Sequence, residues 1–587
     1  MNRYLLPLPI IAGMSLAASV LSAPVFAQAV TQQGTQIQLN GKTFNAAWGA
    51  WASGSGQAIG LSDSGLRQRI GADLLSTNTP GQQPINWFTS QPTILAARHA
   101  PSGAYRYLDI TSFAQTFGWQ MQPQGNVLRI QAPAAQAQSV RLGRQTWGHR
   151  VVVDLDRPAP WRMTELTVSR DAVKPRTFSL TLDAAAASVA LQRWEGSRTE
   201  ALRNLEVKPQ AGQTVITGEI AGNMRPQVSM VPNPNRLVID ILASAPQPRS
   251  ILWAPGLRWQ EQSITLGSQQ FPVVWLALDA QQPELKMQPI WGNPNALVGI
   301  NPLLSIAEQS QVAAAINGGY FNRNNQTTLG ALRRAGQWIS SPILGRGAVA
   351  WSTQGQLAMG RLALRETLAT PSGQLPIVSR DSGYPQRGIA LYSPVWGTSY
   401  TPILETEKII SVVNDRVVDQ KDSKSAASFP IPRNGYLLVL RSFDTGTGLA
   451  LGNSLSIQTT ALPTQFNQFP NIVGAGPLLV QNSQIVLNAA TEQFRPPFDT
   501  QSAPRSAIAQ QANGTILLAA AHNRINGPGP TLREWAEILR KMGATQALNL
   551  DGGSSTALYL GGQLLDRHPG TAARIQNAIG VSLSPSP

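Results

Sequence analysis

Apolar residues along this chain alternate with polar ones far more often than they recur at helical spacing, and glycine or proline punctuates the alternation. Ile37-Gln-Leu-Asn-Gly41 alternates and meets Asn-Gly, which predicts a strand entering a tight turn. Tyr107 to Gly118 predicts a short helix, followed by strands at Trp119-Gln-Met and Val127-Leu-Arg-Ile-Gln. Ala132 to Gln138, rich in Ala and Gln, predicts a linker. Arg150-Val-Val-Val-Asp-Leu-Asp-Arg-Pro then predicts a strand ended by proline. Asn233-Pro-Asn-Arg-Leu-Val-Ile-Asp-Ile predicts a second of the same design, with Arg before an apolar run that ends in Asp.

After residue 250, glycine clusters sit directly behind apolar strands. Val312 to Ile316 runs into Asn317-Gly318-Gly319-Tyr320-Phe321, Asn471-Ile-Val into Gly474-Ala-Gly476, and Ala547-Leu-Asn-Leu into Asp551-Gly552-Gly553-Ser554-Ser555. The clearest helix begins at Thr531: Thr531 and Glu534 form a capping box, Leu532, Trp535, Ala536 and Leu539 an apolar stripe, and Gly543 the stop. Strands dominate and helices are few. The predicted class is therefore α+β, a strand-rich C-terminal domain with a few packing helices, preceded by a small α+β module and an all-β module.

At 587 residues the chain exceeds what one core of ~100–200 residues serves, so several domains are expected. It contains no cysteine, which excludes disulfide scaffolds, thiolate nucleophiles and cysteine-ligated metal centres. The formal charge of +15 would suggest nucleic acid or an anionic surface as partner. The N-terminus changes that expectation. Met1 to Ala27 has Arg3 as its only charge, an apolar run from Leu5 to Leu21, and Val25-Phe26-Ala27 before a cut, the pattern of a secretory signal peptide. No later stretch reaches the ~20 apolar residues of a membrane span. The expected mature protein is periplasmic or extracellular, has no transmembrane segment after signal cleavage, and meets envelope polymers or phosphate-bearing substrates rather than nucleic acid.

The early Asn-Gly turn, the helix ending Phe-Gly and the closing Val-Leu-Arg-Ile-Gln strand resemble the copper amine oxidase N-terminal-like domain, over residues 28–133. The two Arg-to-Asp strand phrases resemble the AMIN domain of bacterial envelope proteins, over 138–247, and this resemblance implies attachment to peptidoglycan or another envelope polymer.

The chemistry concentrates in the last domain, 255–587. Paired glycines at a strand end let a backbone approach a ligand closely, and Asp551 is an acid presented at a strand end beside flexible backbone and hydroxyls. The ordered set Asn317-Gly-Gly-Tyr-Phe, Tyr392-Ser-Pro-Val-Trp-Gly, Gly474-Ala-Gly-Pro-Leu-Leu, Pro504-Arg505-Ser-Ala-Ile, Arg524 and Leu548-Asn-Leu-Asp551-Gly-Gly-Ser-Ser-Thr resembles the phosphodiester glycosidase family, that of N-acetylglucosamine-1-phosphodiester α-N-acetylglucosaminidase. The resemblance implies hydrolysis of a sugar-1-phosphodiester to sugar and phosphomonoester, with no cofactor. It implies Asp551 as the catalytic carboxylate, and a substrate site of Asn317, Gly318, Gly319, Arg505, Arg524, Gly552, Gly553, Ser554 and Arg574. Arginines suit this role because they hold phosphate in two-point contacts.

Two positions depart from the family pattern. His522-Asn523-Arg524 stands where Asp-Gly-Arg is usual, and Ser554 replaces a third glycine. An imidazole of ordinary pKa ~6.5 suits proton transfer, which makes His522 a candidate second catalytic group. Glu492, Asp499 and Asp566 are the other carboxylates near the motifs. A hard cation shared by Asp551 and Asn317 stays open, as do two alternatives: a non-catalytic envelope protein binding phosphorylated glycans, and a phosphodiesterase cutting P–O.

Overall fold

A computed structural model describes residues 29–584, apart from positions 55, 166–174, 187–201, 223, 244–245, 294, 443–447 and 525–526. The predicted signal peptide lies outside the described residues. Strands dominate throughout, as the alternation predicts, and no helix among the described residues is long and apolar enough to cross a membrane.

The first unit is a nine-stranded sheet within residues 30–131. Its opening hairpin turns at Asn40 (φ 47°) and Gly41 (φ 83°), left-handed values that Asn and Gly adopt at low cost, and Leu39 pairs with Lys42. The helix expected over 107–118 is shorter than the pattern suggests. Arg106–Asp109 is a strand in the sheet, and the helix is Thr111–Thr116. The Asp109 carboxylate accepts from the Thr111 amide and so supports the chain where the strand turns into the helix. The expected linker is also shorter: Ala135–Gln145 is a strand whose Ala135, Ala137 and Val140 are buried while Gln136 and Gln138 are exposed. Small alanines alternating with glutamine hide a half-buried strand inside what looks like a low-complexity stretch.

The two Arg-to-Asp phrases lie side by side as antiparallel neighbours, Gly148–Leu155 and Arg236–Leu242. Arg150 stands opposite Asp240, bound at 2.6 Å, and Asp154 opposite Arg236. The shared pattern thus closes a cross-strand charge arrangement within one five-stranded sheet.

Three sheets position the site. The largest has eight strands, including β1 (Gln269–Leu278), β4 (Leu478–Gln481), β5 (Arg505–Gln511), β6 (Ile516–Ala521) and β7 (Ala544–Asn549), with β1, β6, β5, β7 and β4 adjacent in that order. A five-stranded sheet contains β2 (Ala314–Asn317), flanked by β9 (Asn577–Leu583) and β8 (Leu558–Leu560). Another five-stranded sheet is centred on β3 (Asn471–Gly474). A seven-stranded sheet built from residues 363–462 is inserted between them in sequence.

The predicted helix forms as α1 (Leu532–Lys541), and both arms of its capping box are present. Its buried Leu532, Trp535, Ala536, Ile538 and Leu539 pack on Phe271, Val273, Leu479, Ala507 and Leu517 of the large sheet. It is a packing helix, and it fixes the strands that carry the site from behind.

Candidate functional site

The site forms where the carboxyl ends of β2 and β7, the amino end of β5 and the β3–β4 connection converge. Asparagines brace this junction. Asn317 is fully buried; its Nδ2 donates to the Asp551 carbonyl (2.6 Å), and its Oδ1 accepts from the Ser506 hydroxyl (2.7 Å) and the Ala557 amide (3.1 Å). Asn577 accepts at Oδ1 from the Gly319 amide (2.9 Å) and at its carbonyl from the Gly318 amide (2.9 Å). Asn549 donates from Nδ2 to the Gly476 carbonyl and to the Tyr320 hydroxyl, both at 3.0 Å. The buried amides of Asn317 and Asn577, engaged in this way, fix one geometry, because breaking any of these bonds strands a partner without water.

The glycines of the Asn-Gly-Gly motif are explained by this packing. A Cβ on Gly318 would stand 2.1 Å from Asn577 Oδ1, and one on Gly319 would stand 2.1 Å from the Gly474 carbonyl. With both amides engaged by Asn577, these glycines allow the strands to close on each other rather than present donors to a ligand. The same holds after β7. The Gly552 amide donates to Asp551 Oδ1 (2.9 Å), and the Gly553 amide, at φ +63°, donates to the Pro504 carbonyl (2.8 Å). Ser554 follows in a short turn, and its carbonyl accepts from Arg567 (3.2 Å) and the Ala573 amide (2.8 Å).

Asp551 is part-exposed at the head of this turn, and burial pushes its carboxyl up to about 6 against the opposing influence of Ser555, the Gly552 amide and Arg323. Tyr320 lies within electrostatic reach of Asp551, Arg505 and Arg346, and its hydroxyl donates to the Gly476 carbonyl (2.7 Å). Its ring meets Phe494 (5.4 Å) and Phe498 (6.1 Å), which stack on each other at 4.6 Å. Arg346 lies over Phe494 (4.1 Å) and Tyr320 (5.5 Å), and Arg505 lies over Phe498 (5.8 Å). The result is one carboxylate beside an aromatic wall edged by two guanidiniums.

Those guanidiniums are held by carbonyls. Arg505 is buried and donates to the Pro530 carbonyl (3.2 Å) and the Gln501 carbonyl, and Arg346 makes a long bond to the Glu492 carbonyl (3.4 Å). Burial lowers the pKa of both, and neither forms a salt bridge among the described residues. The Glu492 charge offsets part of this at Arg346, whereas Arg505 is desolvated with only Tyr320 acting on it and is poised for an anion.

The other expected residues are placed differently. Arg524 turns to Gln269 and to Glu534 of the α1 cap (3.4 Å) and stacks over Phe271 (5.6 Å). Arg574 is exposed, with no salt bridge among the described residues. His522 has both ring nitrogens engaged, Nε2 with Asp566 (2.6 Å) and Nδ1 with Arg567 (3.3 Å), and burial lowers its pKa. Arg567 in turn donates to the Gly553 carbonyl (3.1 Å), so the His522–Asp566–Arg567 group supports the turn behind Asp551.

Among the other carboxylates, Glu492 is buried and accepts from the Gly347 (2.7 Å) and Leu478 (2.8 Å) amides, and Asp566 accepts from the Leu558 amide (2.8 Å). Asn317 faces the Asp551 carbonyl rather than its carboxylate, and no group of three or more metal-ligating His, Asp or Glu side chains occurs among the described residues. The sequence motifs contain Tyr320 but not Arg346, Phe494 or Phe498. A loop rich in Phe, Arg and Pro at Phe494-Arg-Pro-Pro-Phe498 was the available signal.

Residues 407–582 match the phosphodiester glycosidase family, a span that holds Arg505, His522, Asp551 and Arg567 and leaves Asn317, Tyr320 and Arg346 upstream. No curated protein matches the chain. Among solved structures, a hypothetical protein from Synechocystis is 42% identical over 94% of this chain and all of its own, with a TM-score of 0.88. A candidate exported protein from Burkholderia pseudomallei is 16% identical over 76% of this chain and 99% of its own (TM-score 0.45). The zebrafish N-acetylglucosamine-1-phosphodiester α-N-acetylglucosaminidase catalytic domain, auto-inhibited by its pro-peptide, is 14% identical over 57% of this chain and 87% of its own (TM-score 0.30). Residues 407–582 are thus a phosphodiester glycosidase family domain, which makes this protein a hydrolase of that kind.

Proposed function

We propose that this hydrolase cleaves the C–O bond between a sugar's anomeric carbon and phosphate in an N-acetylglucosamine-1-phosphodiester-like substrate, releasing free sugar and a phosphomonoester. The observation that carries this reading is that Asp551 shares Tyr320 as a neighbour with Arg505 and Arg346, two desolvated guanidiniums that form no salt bridge among the described residues. The aromatic wall of Tyr320, Phe494 and Phe498 offers the sugar an apolar face, and the arginines take the phosphate oxygens. As the C–O bond breaks, both bonding electrons leave on the phosphate oxygen, where the guanidiniums stabilise the added charge. The ionised Asp551 supports positive charge at the anomeric carbon; a water oxygen bonds to that carbon, and its proton passes to solvent or to the departing phosphate.

In this reading Asp551 is the catalytic residue, and Asn317, Gly318, Gly319, Gly552, Gly553, Ser554 and His522 position it. The leader-like N-terminus and basic composition support export and action on envelope or extracellular glycans, with peptidoglycan or a similar polymer as a contact of the N-terminal modules.

Turnover of a panel of sugar-1-phosphodiesters, with products identified by mass, tests the reading. Free sugar plus phosphomonoester is expected, and no turnover of any member by folded protein would refute it. Within the panel, Arg346→Ala is expected to raise KM about 10- to 100-fold by removing a charged phosphate contact. Arg524→Ala, whose side chain serves the α1 cap, should change KM less than about threefold. His522→Gln should lower kcat without moving the acidic limb of the pH profile, because that limb belongs to Asp551; a displaced limb would make His522 the titrating group.

A further inference from the structure

A second cleft, of about 1580 Å³, opens where the 28–133 module, the β-rich region after it and the hydrolase domain meet. It is larger than the about 300–1,000 Å³ typical of small-molecule pockets. Arg67 and Arg69 line it from the π-helical turn Leu66–Ile70. Arg67 lies over Trp259 (5.3 Å) and makes a long bond to Gln563 Oε1 (3.4 Å), and Arg69 lies over Phe44 (5.5 Å). Neither forms a salt bridge among the described residues. Of the carboxylates at the cleft, Asp73 (2.9 Å) and Glu261 (3.9 Å) bind Arg249, Asp240 binds Arg150, Asp566 binds His522 and Arg567, and Glu308 also lines the wall; nearby, Asp183 (3.3 Å) binds Arg162.

Like charges aggravate this. Burial and then Arg249 lower the pKa of Arg67, and burial and then Arg162 lower that of Arg69. Glu261, Asp73 and Asp63 oppose this at Arg67 without cancelling it, so folding holds two desolvated cations in a wall where an anion would relieve them. The buried side chain of Gln563, which also lines the cleft, leaves its Nε2 donor without a partner. Asn45, Gln68, Gln227 and Gln247 add amides to the walls, and Trp161 and Tyr105 add rings, groups that suit sugar hydroxyls and sugar faces.

We propose that this cleft is a second binding site, separate from Asp551, for a phosphate-bearing oligosaccharide, with Arg67 and Arg69 holding the phosphate and the amides holding hydroxyls. The assignment stands on residues outside the hydrolytic site and does not depend on the hydrolysis reading.

The test is calorimetric titration of the full-length Asp551→Asn protein with chitotetraose 1-phosphate, with neutral chitotetraose and inorganic phosphate as comparisons. Hydrogen exchange is followed at residues 66–71 and 562–564. The phosphorylated tetrasaccharide should bind at least tenfold more tightly than either comparison and protect both segments. Arg67→Gln and Arg69→Gln should each weaken that event about tenfold, Arg69→Lys less, and Arg505→Ala should leave it in place. An event untouched by Arg67→Gln and Arg69→Gln but lost in Arg505→Ala would place the ligand at the hydrolytic site and overturn the proposal. Equal affinity for neutral chitotetraose, or for inorganic phosphate alone, would overturn it as well. Arg69→Gln serves as the variant least able to disturb folding, since it removes one cation–aromatic contact from a half-buried position.

Discussion

Asp551→Asn is expected to lower kcat on a sugar-1-phosphodiester by about 10²–10⁴-fold while leaving the fold intact, the range typical of a positioned acid or base. The change keeps size and shape but removes the negative charge that opposes the anomeric cation. Wild-type kcat should rise with pH through about 6, because Asp551 acts ionised and burial holds its carboxyl at that value. The sign for stability is the reverse. A folded-state pKa raised above the unfolded one means that the native state binds the proton more tightly, so the contribution is favourable at low pH and is lost as pH rises through about 6. Asp551→Asn should therefore raise the thermal midpoint at pH 8 and leave it nearly unchanged at pH 4. Thermal scans at the two pH values check this alongside the rates. Equal effects at both would mean that the carboxylate is not held in a desolvated site.

Asn317→Ala carries the largest expected effect on stability. Truncation leaves the Ser506 hydroxyl, the Ala557 amide and the Asp551 carbonyl without their partner in a fully buried position. Each stranded group costs about 1–3 kcal/mol, and partial relaxation brings the expected total to about 3–5 kcal/mol. Because the Asp551 backbone hangs on one of these bonds, activity should fall with stability, and kcat should fall more than KM rises. A denaturant midpoint followed by tryptophan fluorescence, together with kinetics below the transition, measures both. Unchanged stability would show that water replaces the amide, and the account of the motif as a brace would fail.

These expectations show which parts of the molecule are legible in a linear sequence. The capped helix at Thr531, the Asn40-Gly41 turn and the strands before each glycine cluster are local: the deciding residues lie within a few positions of one another. Where a neighbouring strand decides, the pattern misleads. Tyr107 and Leu108 read as part of a helix because apolar residues there also fit that spacing, yet pairing with Leu61, Ser62 and Arg98 draws them into a sheet. The alanines at 135 and 137 read as linker because small residues carry little periodic signal, although both are buried.

The site divides in the same way. The placement of Asp551 at a strand end is legible because an acid followed by glycines is a local pattern; its catalytic role rests on the family resemblance. The engagement of the glycine amides is not legible, since their partners, Asn577 and Pro504, come from distant segments. Arg346 and the Phe494–Phe498 stack reach Tyr320 only through tertiary packing; the Phe-Arg-Pro-Pro-Phe run is a compositional signal that does not say what it packs against, and nothing local singles out Arg346. His522 looked like a proton carrier because its ordinary pKa suits the task; its two partners, Asp566 and Arg567, lie more than forty positions away.

The central claim is that water attacks carbon rather than phosphorus, and hydrolysis in ¹⁸O-enriched water tests it most directly. The account predicts the label in the released sugar at its anomeric hydroxyl, an unlabelled phosphomonoester, and loss of both products in Asp551→Asn. Label in the phosphomonoester, with the sugar hydroxyl unlabelled, would establish P–O cleavage and contradict the account.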